Sequence, residues 1–380
     1  MVKSGDIYGI KLMDMLALFT TVGFILAGYS VIANDSVQTL GTWIASNRDK
    51  FKWTTLWAAA ATVLVATLAY GWYSGDGDIS FGRLTKIPYK EPQWYHAVAP
   101  LALVLLTRRG IPVSTSFLVL SAFASTFVLE KMLMKSVMGY GLAAVVAYVL
   151  WLVIARFINE KDDVSERAKK FWRVFQWCST GFLWFTWLSH DVANIAVFLP
   201  RQISFTQLLL VMGFFVIGLG HIFYQKGGKI QQIILDKQST KYVRSATLID
   251  LVYAFLLLYF KEMNNIPMST TWVFVGLLCG RELALNTGLT KKGNIKSIFP
   301  IVAKDFLKLI VGLLVSVAIV LAIHYGTDEA GMDTDPTPTN QESGMETASE
   351  GLETPAFVKP DSLSLEAETN ESNIGIEDSE

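Results

Sequence analysis

Cysteine and charged side chains are scarce in this chain of 380 residues. The two cysteines, Cys178 and Cys279, lie in apolar stretches, which excludes a disulfide framework and a thiolate metal site. No spacing of histidine, cysteine and carboxylate residues is typical of a zinc site, and no glycine-rich phosphate loop indicates ATP binding. We therefore expect no enzyme and no cofactor, and we predict no nucleic-acid partner.

Charged residues make up 17% of the chain, whereas hydrophobic residues make up 52%. Windows such as Leu56–Tyr73 and Phe205–Tyr224 carry almost no charge and are long enough to cross a hydrocarbon core. A helix in a soluble core would instead show a polar face at helical spacing. The sequence therefore predicts a membrane protein with several spanning helices.

The net charge of −1 conceals an uneven distribution, because 15 of the 33 acidic residues but one of the 32 basic residues follow Tyr325. The segment Thr327–Glu380 has few large apolar side chains, and we predict that it is disordered. The remainder carries 31 basic and 18 acidic residues. This excess is consistent with basic cytoplasmic loops and equally with a preference for an anionic solute.

Two polar motifs occur twice, in the same order and at almost the same spacing. Asp35 lies 77 residues before Pro112, and Asp191 lies 76 residues before Pro267. The offset between copies is 156 residues for the aspartates and 155 for the prolines, which indicates an internal duplication. Duplicated membrane domains with polar, proline-interrupted segments at matching places are typical of secondary transporters.

The apolar segments divide into five in each copy. The first copy has them near 12–32, 53–73, 95–107, 111–129 and 138–157, and the second near 173–198, 205–224, 244–260, 267–284 and 305–325. Because an odd number of spans reverses the second copy, we predict an all-α polytopic fold of two inverted-topology repeats with broken or re-entrant helices. The predicted regions are a first repeat at 1–158, a charged cytoplasmic linker at 159–173, a second repeat at 174–326 and the acidic tail at 327–380.

The two aspartates lie inside apolar segments, where a carboxylate is costly and usually functional. Amide and imidazole side chains surround them, so the predicted cation-binding set is Asn34, Asp35, Gln38, His190, Asp191 and Asn194. This set suits a sodium ion, or carboxylates that take up a proton; the alternative is a buried aspartate that caps a broken helix. Asp250, early in another apolar segment, is interpreted as either a third ion ligand or a cap.

The repeated proline segments supply hydroxyl groups. Proline fits the first turn of a helix, where following hydroxyls and free amides favour an oxyanion. The predicted anion-binding set is Ser114, Thr115, Ser116, Ser269, Thr270 and Thr271. The alternative is a pair of plain helix starts whose hydroxyls pack against neighbouring helices.

These paired motifs resemble those of the inorganic phosphate transporter (PiT) family, over roughly residues 20–325. That family carries N-D-x-A-N and P-x-S-T-T-H segments in each of two inverted repeats. The corresponding segments here are 34–38 with 112–117 and 190–194 with 267–272. The chain departs from the pattern at Gln38, His190, Phe117 and Trp272, which identifies it as a divergent member.

The resemblance implies a symporter of inorganic phosphate, driven by a sodium or proton gradient, and it implies a homodimer. We expect a multi-pass protein of the plasma or inner membrane whose partners are the lipid bilayer and phosphate. One alternative is a permease for sulfate or another oxyanion. Another is a non-transporting anion sensor of the same fold that signals through the acidic tail.

Overall fold

The computed structural model describes residues 4–109, 113–157, 165–226, 243–287 and 295–329. The α-helices are α1 (Ser4–Ser30), α2 (Ser36–Asn47), α3 (Trp53–Ser74), α4 (Val98–Arg108), α5 (Thr126–Phe157), α6 (Glu166–Asp191), α7 (Ala193–Ala196), α8 (Phe205–Tyr224), α9 (Val243–Met263), α10 (Thr270–Thr287) and α11 (Ile295–Glu329). Two π-helical turns, Val31–Asp35 and Ser116–Leu120, and the 3₁₀ turn Trp94–Ala97 complete the elements.

The fold is all-α, because no strand occurs in any of these described ranges. Within them, five helical segments are long and apolar enough to cross a membrane: Ala17–Asn47, Trp53–Ser74, Thr126–Ile154, Phe205–Tyr224 and Val243–Met263. The expectation of an all-α polytopic membrane protein is therefore confirmed.

The order of the helices fits a duplication. In the first copy, the broken helix α1–α2 is followed by α3, α4, the hydroxyl-bearing segment 113–124 and α5. In the second copy, α6–α7 is followed by α8, α9, α10 and α11. Helix α3 packs against its counterpart α8 across the copies. The opposite orientation of the two copies in the membrane stays a prediction.

The first predicted helix break is a π-helical turn and not a loop. The turn Val31–Asp35 joins α1 to α2, and the hydroxyl of Ser36 donates to the carbonyl of Ile32 within it. Thr39 Oγ1 donates to the carbonyl of Asp35 at 3.0 Å. Such side-chain bonds to the backbone perturb the regular helical ladder, and single π turns are frequent at functional sites.

The first proline segment does not form one apolar helix over 111–129, as the segment count had suggested. Within it, a π-helical turn covers Ser116–Leu120, and the long helix α5 begins only at Thr126. Ser125 Oγ accepts a hydrogen bond from the amide of Val128 at 3.4 Å, which starts a new helix. The segment is therefore a short broken element that precedes a long spanning helix.

The second proline segment also differs from the expectation that proline occupies the first helical turn. Pro267 lies three residues before Thr270, where α10 begins. Ser269, the residue directly before the helix, caps it instead, because its hydroxyl accepts from the amide of Trp272 at 3.3 Å. Pro112 of the first copy lies outside the described residues.

The second half of the charged segment 159–173 is helical. Residues 166–173 form the first two turns of α6, and Ser165 Oγ caps them by accepting from the amide of Ala168 at 3.4 Å. The exposed Glu166 and the partly buried Lys169 pair at 2.9 Å on the first turn. The cytoplasmic placement of this segment stays a prediction. Of the tail predicted to be disordered, 327–380, residues 327–329 instead belong to the end of α11, and disorder in residues 330–380, which lie outside the described ranges, stays a prediction.

Glycine brings α5 and α10 into backbone contact. A Cβ added at Gly276 would lie 2.3 Å from the carbonyl oxygen of Tyr140, and one added at Gly280 would lie 2.0 Å from that of Ala144. Small residues of this kind let membrane helices approach closely. This packing fixes the axis of α10, and with it the position of the hydroxyls at its start.

Candidate functional site

Asp35 is the centre of the first polar cluster and is 2% exposed. Its Oδ2 accepts a hydrogen bond from the hydroxyl of Thr115, and its Oδ1 accepts from Asn34 Nδ2 at 2.6 Å. Asn34 Nδ2 also donates to the carbonyl of Val113 at 2.8 Å. The π turn thus holds a carboxylate and an amide directly against the start of the first hydroxyl segment.

Asp191 forms the matching cluster at the end of α6 and is also buried. Its Oδ2 accepts from Thr270 Oγ1 at 2.6 Å, and its Oδ1 accepts from Asn194 Nδ2 at 3.1 Å. Both copies therefore pair one aspartate with one amide and one threonine hydroxyl. Tyr253 of α9 supports this side by donating its hydroxyl to the carbonyl of Thr270 at 3.0 Å.

The two clusters meet through residues that cross between the copies. Ser116 Oγ of the first copy donates to Asp191 Oδ1 at 3.3 Å. Thr271, its counterpart in the second copy, donates to the carbonyl of Val113 at 3.5 Å. Members of the predicted cation-binding and anion-binding sets consequently share one buried network, in which the hydroxyls of Thr115, Ser116 and Thr270 contact the carboxylates of Asp35 and Asp191.

Ser114 and Ser269 use their hydroxyl oxygens to start the two hydroxyl segments. Ser114 Oγ accepts from the amide of Phe117 at 3.2 Å, and Ser269 Oγ accepts from that of Trp272 at 3.3 Å. The Ser269 amide donates to Ser136 Oγ at 2.8 Å, so this amide is already occupied. These serines shape the segments; whether they also bind an anion stays a prediction.

Gln38 lies one turn beyond Asn34 and does not hydrogen-bond to Asp35. Its Nε2 donates to Asn34 Oδ1 at 3.1 Å, which leaves the Asn34 Nδ2 directed at Asp35 and Val113. Gln38 therefore positions another predicted ligand. Its own contact with a cation stays a prediction.

His190 points away from Asp191, its neighbour in sequence, because consecutive helical residues do not share a face. Its Nε2 lies 2.6 Å from the carbonyl oxygen of Leu257 and 3.2 Å from Arg83 Nη2. A carbonyl can only accept a hydrogen bond, so Nε2 carries the hydrogen and donates to Leu257. The structure thus places this predicted cation ligand outside the hydroxyl–carboxylate network.

Asn194 retains an oxygen without a partner. Its side chain is fully buried and its Oδ1 accepts no hydrogen bond, while its Nδ2 donates to Asp191. A buried acceptor without a donor costs about 1–3 kcal/mol, and a bound cation would remove that cost. Carboxylate and amide oxygens are the ligands that a hard cation prefers, and the binding of one by Asp35, Asp191 and Asn194 stays a prediction. No group of three or more His, Cys, Asp or Glu side chains suited to a metal ion occurs among the described residues.

Asp250 is not a helix cap, which was one of its two interpretations. It lies within α9 and accepts hydrogen bonds from Thr42 Oγ1 of α2 and Thr180 Oγ1 of α6, each at 2.5 Å. Thr180 also lines a cavity of about 120 Å³ next to three tryptophans, Trp43, Trp177 and Trp184. Asp250 thus joins helices of both copies; a role as an ion ligand stays a prediction.

Two residues next to the network, Arg83 and Val113, were not predicted from the sequence. Val113 contributes its backbone carbonyl, which no side-chain pattern reveals. Arg83 lies in the connection between α3 and α4, and only the folded chain brings it beside His190. A basic residue in a loop carries no sequence signal that separates it from an ordinary surface charge.

The fold also resembles that of a solved structure described as "The sodium-dependent phosphate transporter". The two align with a TM-score of 0.55 over 82% of this chain and 97% of that chain, at 17% sequence identity. At this identity the likeness shows a shared fold. No family model matches the sequence, and a search of curated proteins finds no match.

Proposed function

We propose that this chain is a secondary active transporter that carries inorganic phosphate with a coupling cation, sodium or a proton. The observation that carries the proposal is the duplicated network in which Thr115 donates to Asp35 and Thr270 donates to Asp191. The fold shared with a solved sodium-dependent phosphate transporter supports it. A transporter of this kind is not an enzyme, and its substrate leaves chemically unchanged.

The coupling cation would bind to oxygen atoms of Asp35, Asp191 and Asn194. The two carboxylates interact electrostatically, and the described residues pair neither of them with a cationic side chain. Two buried negative charges near each other are costly unless a cation or a proton compensates them. A sodium ion or a proton would therefore gain affinity from both copies of the repeat.

The hydroxyl groups supply a physical link between cation and anion binding. A threonine hydroxyl has one hydrogen, so Thr115 and Thr270 can each donate either to a carboxylate or to an oxyanion. A cation bound to the aspartates compensates their charge and frees the hydroxyl hydrogens. The anion site is then complete only when the cation is present, which is the requirement for symport.

Phosphate is favoured over sulfate by the closeness of hydroxyls and carboxylates. Sulfate accepts hydrogen bonds but cannot donate one at neutral pH, whereas protonated phosphate species can. An anion at Thr270 would have the oxygens of Asp191 within hydrogen-bonding reach, since the two side chains are 2.6 Å apart. A hydrogen-bond-donating anion gains from such acceptors, and sulfate is repelled by them.

Uptake into proteoliposomes tests the proposal. Purified protein would be reconstituted and supplied with radiolabelled phosphate or sulfate, with an inward sodium gradient, an inward proton gradient, or neither. We expect phosphate uptake that requires one of the two gradients and exceeds sulfate uptake. Phosphate binding without uptake under every gradient would favour an anion sensor, and sulfate uptake above phosphate uptake would favour a sulfate permease.

Homodimer formation and the choice of plasma or inner membrane remain parts of this proposal. Light scattering of the purified protein in detergent measures the oligomeric state, and a mass of two chains is the expected result.

A further inference from the structure

Arg83 is a fully buried cation that is held rigidly next to the site. It follows a tight turn in which Asp78 accepts hydrogen bonds from the amides of Ser80 and Gly82, at 2.7 Å and 3.2 Å. Gly82 has a φ of +71°, which glycine adopts without strain. The Arg83 amide then donates to the carbonyl of Ser80 at 3.1 Å. The turn therefore fixes the backbone from which the guanidinium extends.

The guanidinium has far more donors than the described residues have acceptors for it. A guanidinium carries five N–H groups on three nitrogen atoms. One of these nitrogens, Nη1, donates to the carbonyl of Asn264 at 3.0 Å. Nη2 lies 3.2 Å from His190 Nε2, but that nitrogen already donates to Leu257 and cannot accept. The buried Nε has no hydrogen-bond partner. Unsatisfied donors on a buried charge are unfavourable, and an oxyanion would satisfy them in the planar geometry that arginine prefers.

Lys135, the other buried cation nearby, is fully used in holding the backbone. Its Nζ has three donors and donates to Asn264 O at 3.1 Å, Asn264 Oδ1 at 2.7 Å and Ile266 O at 2.9 Å. It therefore fixes the segment that leads to Ser269 and adds positive charge, but it offers no free donor. Of these two cations, Arg83 is the one that still has N–H donors for a ligand.

Nearby acidic groups keep the guanidinium charged without pairing with it. Burial lowers the pKa of Arg83 to about 10, and the carboxylates of Asp191 and Glu262 oppose that change. The group is therefore cationic at neutral pH. The hydrogen bonds of Asp191 go to Thr270, Asn194 and Ser116, so its attraction to Arg83 leaves the guanidinium hydrogens free.

We propose that Arg83 is an anion-binding residue that contacts a tetrahedral oxyanion, phosphate or sulfate, on the side of the site bounded by Asn264 and His190. This inference rests on the proposed function and adds to it a cationic ligand outside the duplicated motifs. Each copy of the repeat supplies hydroxyl donors, whereas the charged, bidentate donor Arg83 occurs in the first copy and lies beside residues of the second copy. The anion would thus bind asymmetrically, closer to the second copy.

Equilibrium binding of phosphate and of sulfate to the purified full-length chain tests this inference, with isothermal titration at saturating sodium. Arg83→Gln should weaken phosphate binding about ten- to a hundredfold, as expected for the loss of charge-assisted hydrogen bonds. Arg83→Lys keeps the charge but not the bidentate geometry, so an intermediate loss is expected. The affinity for sodium should change less than the affinity for phosphate.

Arg201→Gln is the matched control. Arg201 is a partly buried arginine that, like Arg83, donates to a backbone carbonyl, that of Ile87 at 2.9 Å. Its guanidinium lies over the ring of Tyr89. Removing its charge should leave phosphate affinity within about twofold. Thermal unfolding of each variant separates a loss of ligand contact from a loss of folding.

The possible outcomes separate this inference from the proposed function. If Thr270→Val weakens phosphate binding but Arg83→Gln does not, Arg83 is only a structural brace and the inference is wrong, while the function stands. The same conclusion follows if Arg83→Gln lowers stability and transport rate without changing affinity. If the unmodified protein binds neither phosphate nor sulfate, both proposals are overturned.

Discussion

At the scale of single residues, the hydroxyls of Thr115 and Thr270 have the most direct consequences, because each donates its only hydrogen to an aspartate. Thr115→Val and Thr270→Val keep the side-chain shape and remove that hydrogen. We expect each change to weaken phosphate binding about ten- to a hundredfold. Because these hydroxyls also contact the carboxylates, we expect the apparent affinity for sodium to change as well. Sodium titrations without phosphate measure this change.

Thr39→Val is a suitable control for these threonine variants. Thr39 is also buried, but its hydroxyl donates to the backbone carbonyl of Asp35 at 3.0 Å and not to a carboxylate. Phosphate and sodium affinities close to those of the unmodified protein are expected. Equal losses in Thr39→Val and Thr270→Val would mean that any buried hydroxyl matters for folding and that the site assignment is wrong.

The aspartates carry a second residue-scale prediction. Asp35→Asn and Asp191→Asn keep the shape of each side chain but remove the negative charge that attracts a cation. By analogy with the removal of one partner from a buried ion pair, cation binding should lose about 3–5 kcal/mol. Gradient-driven phosphate uptake should then fall to near background while the protein remains folded, as circular dichroism can verify. Uptake that keeps its normal ion dependence in both variants would contradict the proposed coupling.

The residues of the buried hydroxyl–carboxylate network could be predicted from the sequence more completely than their contacts. Repetition at one offset singled out Asp35, Asp191 and the hydroxyl segments without any structure. Repetition could not show that hydroxyls touch carboxylates, because residues about 80 positions apart are brought together only by folding. The adjacency of His190 and Asp191 in the sequence likewise does not reveal the direction of the His190 ring, which contacts Leu257 and Arg83.

At the scale of helices, the hydropathy of the sequence indicates which segments span the membrane. It does not indicate the residues at which α5 and α10 begin. The segment 117–123 is apolar except for Ser121 and runs on towards Thr126, so no hydropathy window separates the π turn from α5. The boundary is set by Ser125, a single capping side chain whose bond to the backbone leaves no periodic signal. The same holds for Ser269, which starts α10 where proline had been expected to do so.

The packing of α10 on α5 gives a prediction at this scale. Gly280→Ala places a methyl group 2.0 Å from the carbonyl oxygen of Ala144, so one helix must move. We expect destabilisation of about 1–3 kcal/mol, as for an overpacked core, and weaker phosphate binding because α10 carries Thr270 and Thr271. Thermal unfolding in detergent measures the first effect and titration the second.

Gly141→Ala provides the control on α5, because an added Cβ there meets no atom within 4 Å. This variant should be as stable as the unmodified protein or slightly more so, since alanine favours a helix. A Gly280→Ala protein with unchanged unfolding temperature would mean that the two helices are not pressed together as described.

At the scale of the whole molecule, the two copies depend on each other to complete one hydrogen-bond network. Ser116 of the first copy reaches Asp191 of the second, and Thr271 of the second reaches Val113 of the first. A relative movement of the copies would therefore change ligand contacts on both sides at once. That coupling is what alternating access requires of a duplicated carrier, and it predicts that neither copy binds the anion alone.

The acidic segment that follows α11 distinguishes a carrier from a sensor. Truncation after Glu329 removes residues 330–380 and leaves every residue of the hydroxyl–carboxylate network in place. A carrier needs only that network and the helices around it, so reconstituted uptake should stay within about twofold of that of the full chain, since changes away from such a site are usually small. Replacing the acidic residues of the same segment with asparagine and glutamine is the companion variant, because it keeps chain length and removes only charge. If truncation abolishes uptake while titration still detects normal phosphate binding, the acidic segment takes part in function and the anion-sensor alternative becomes the better account.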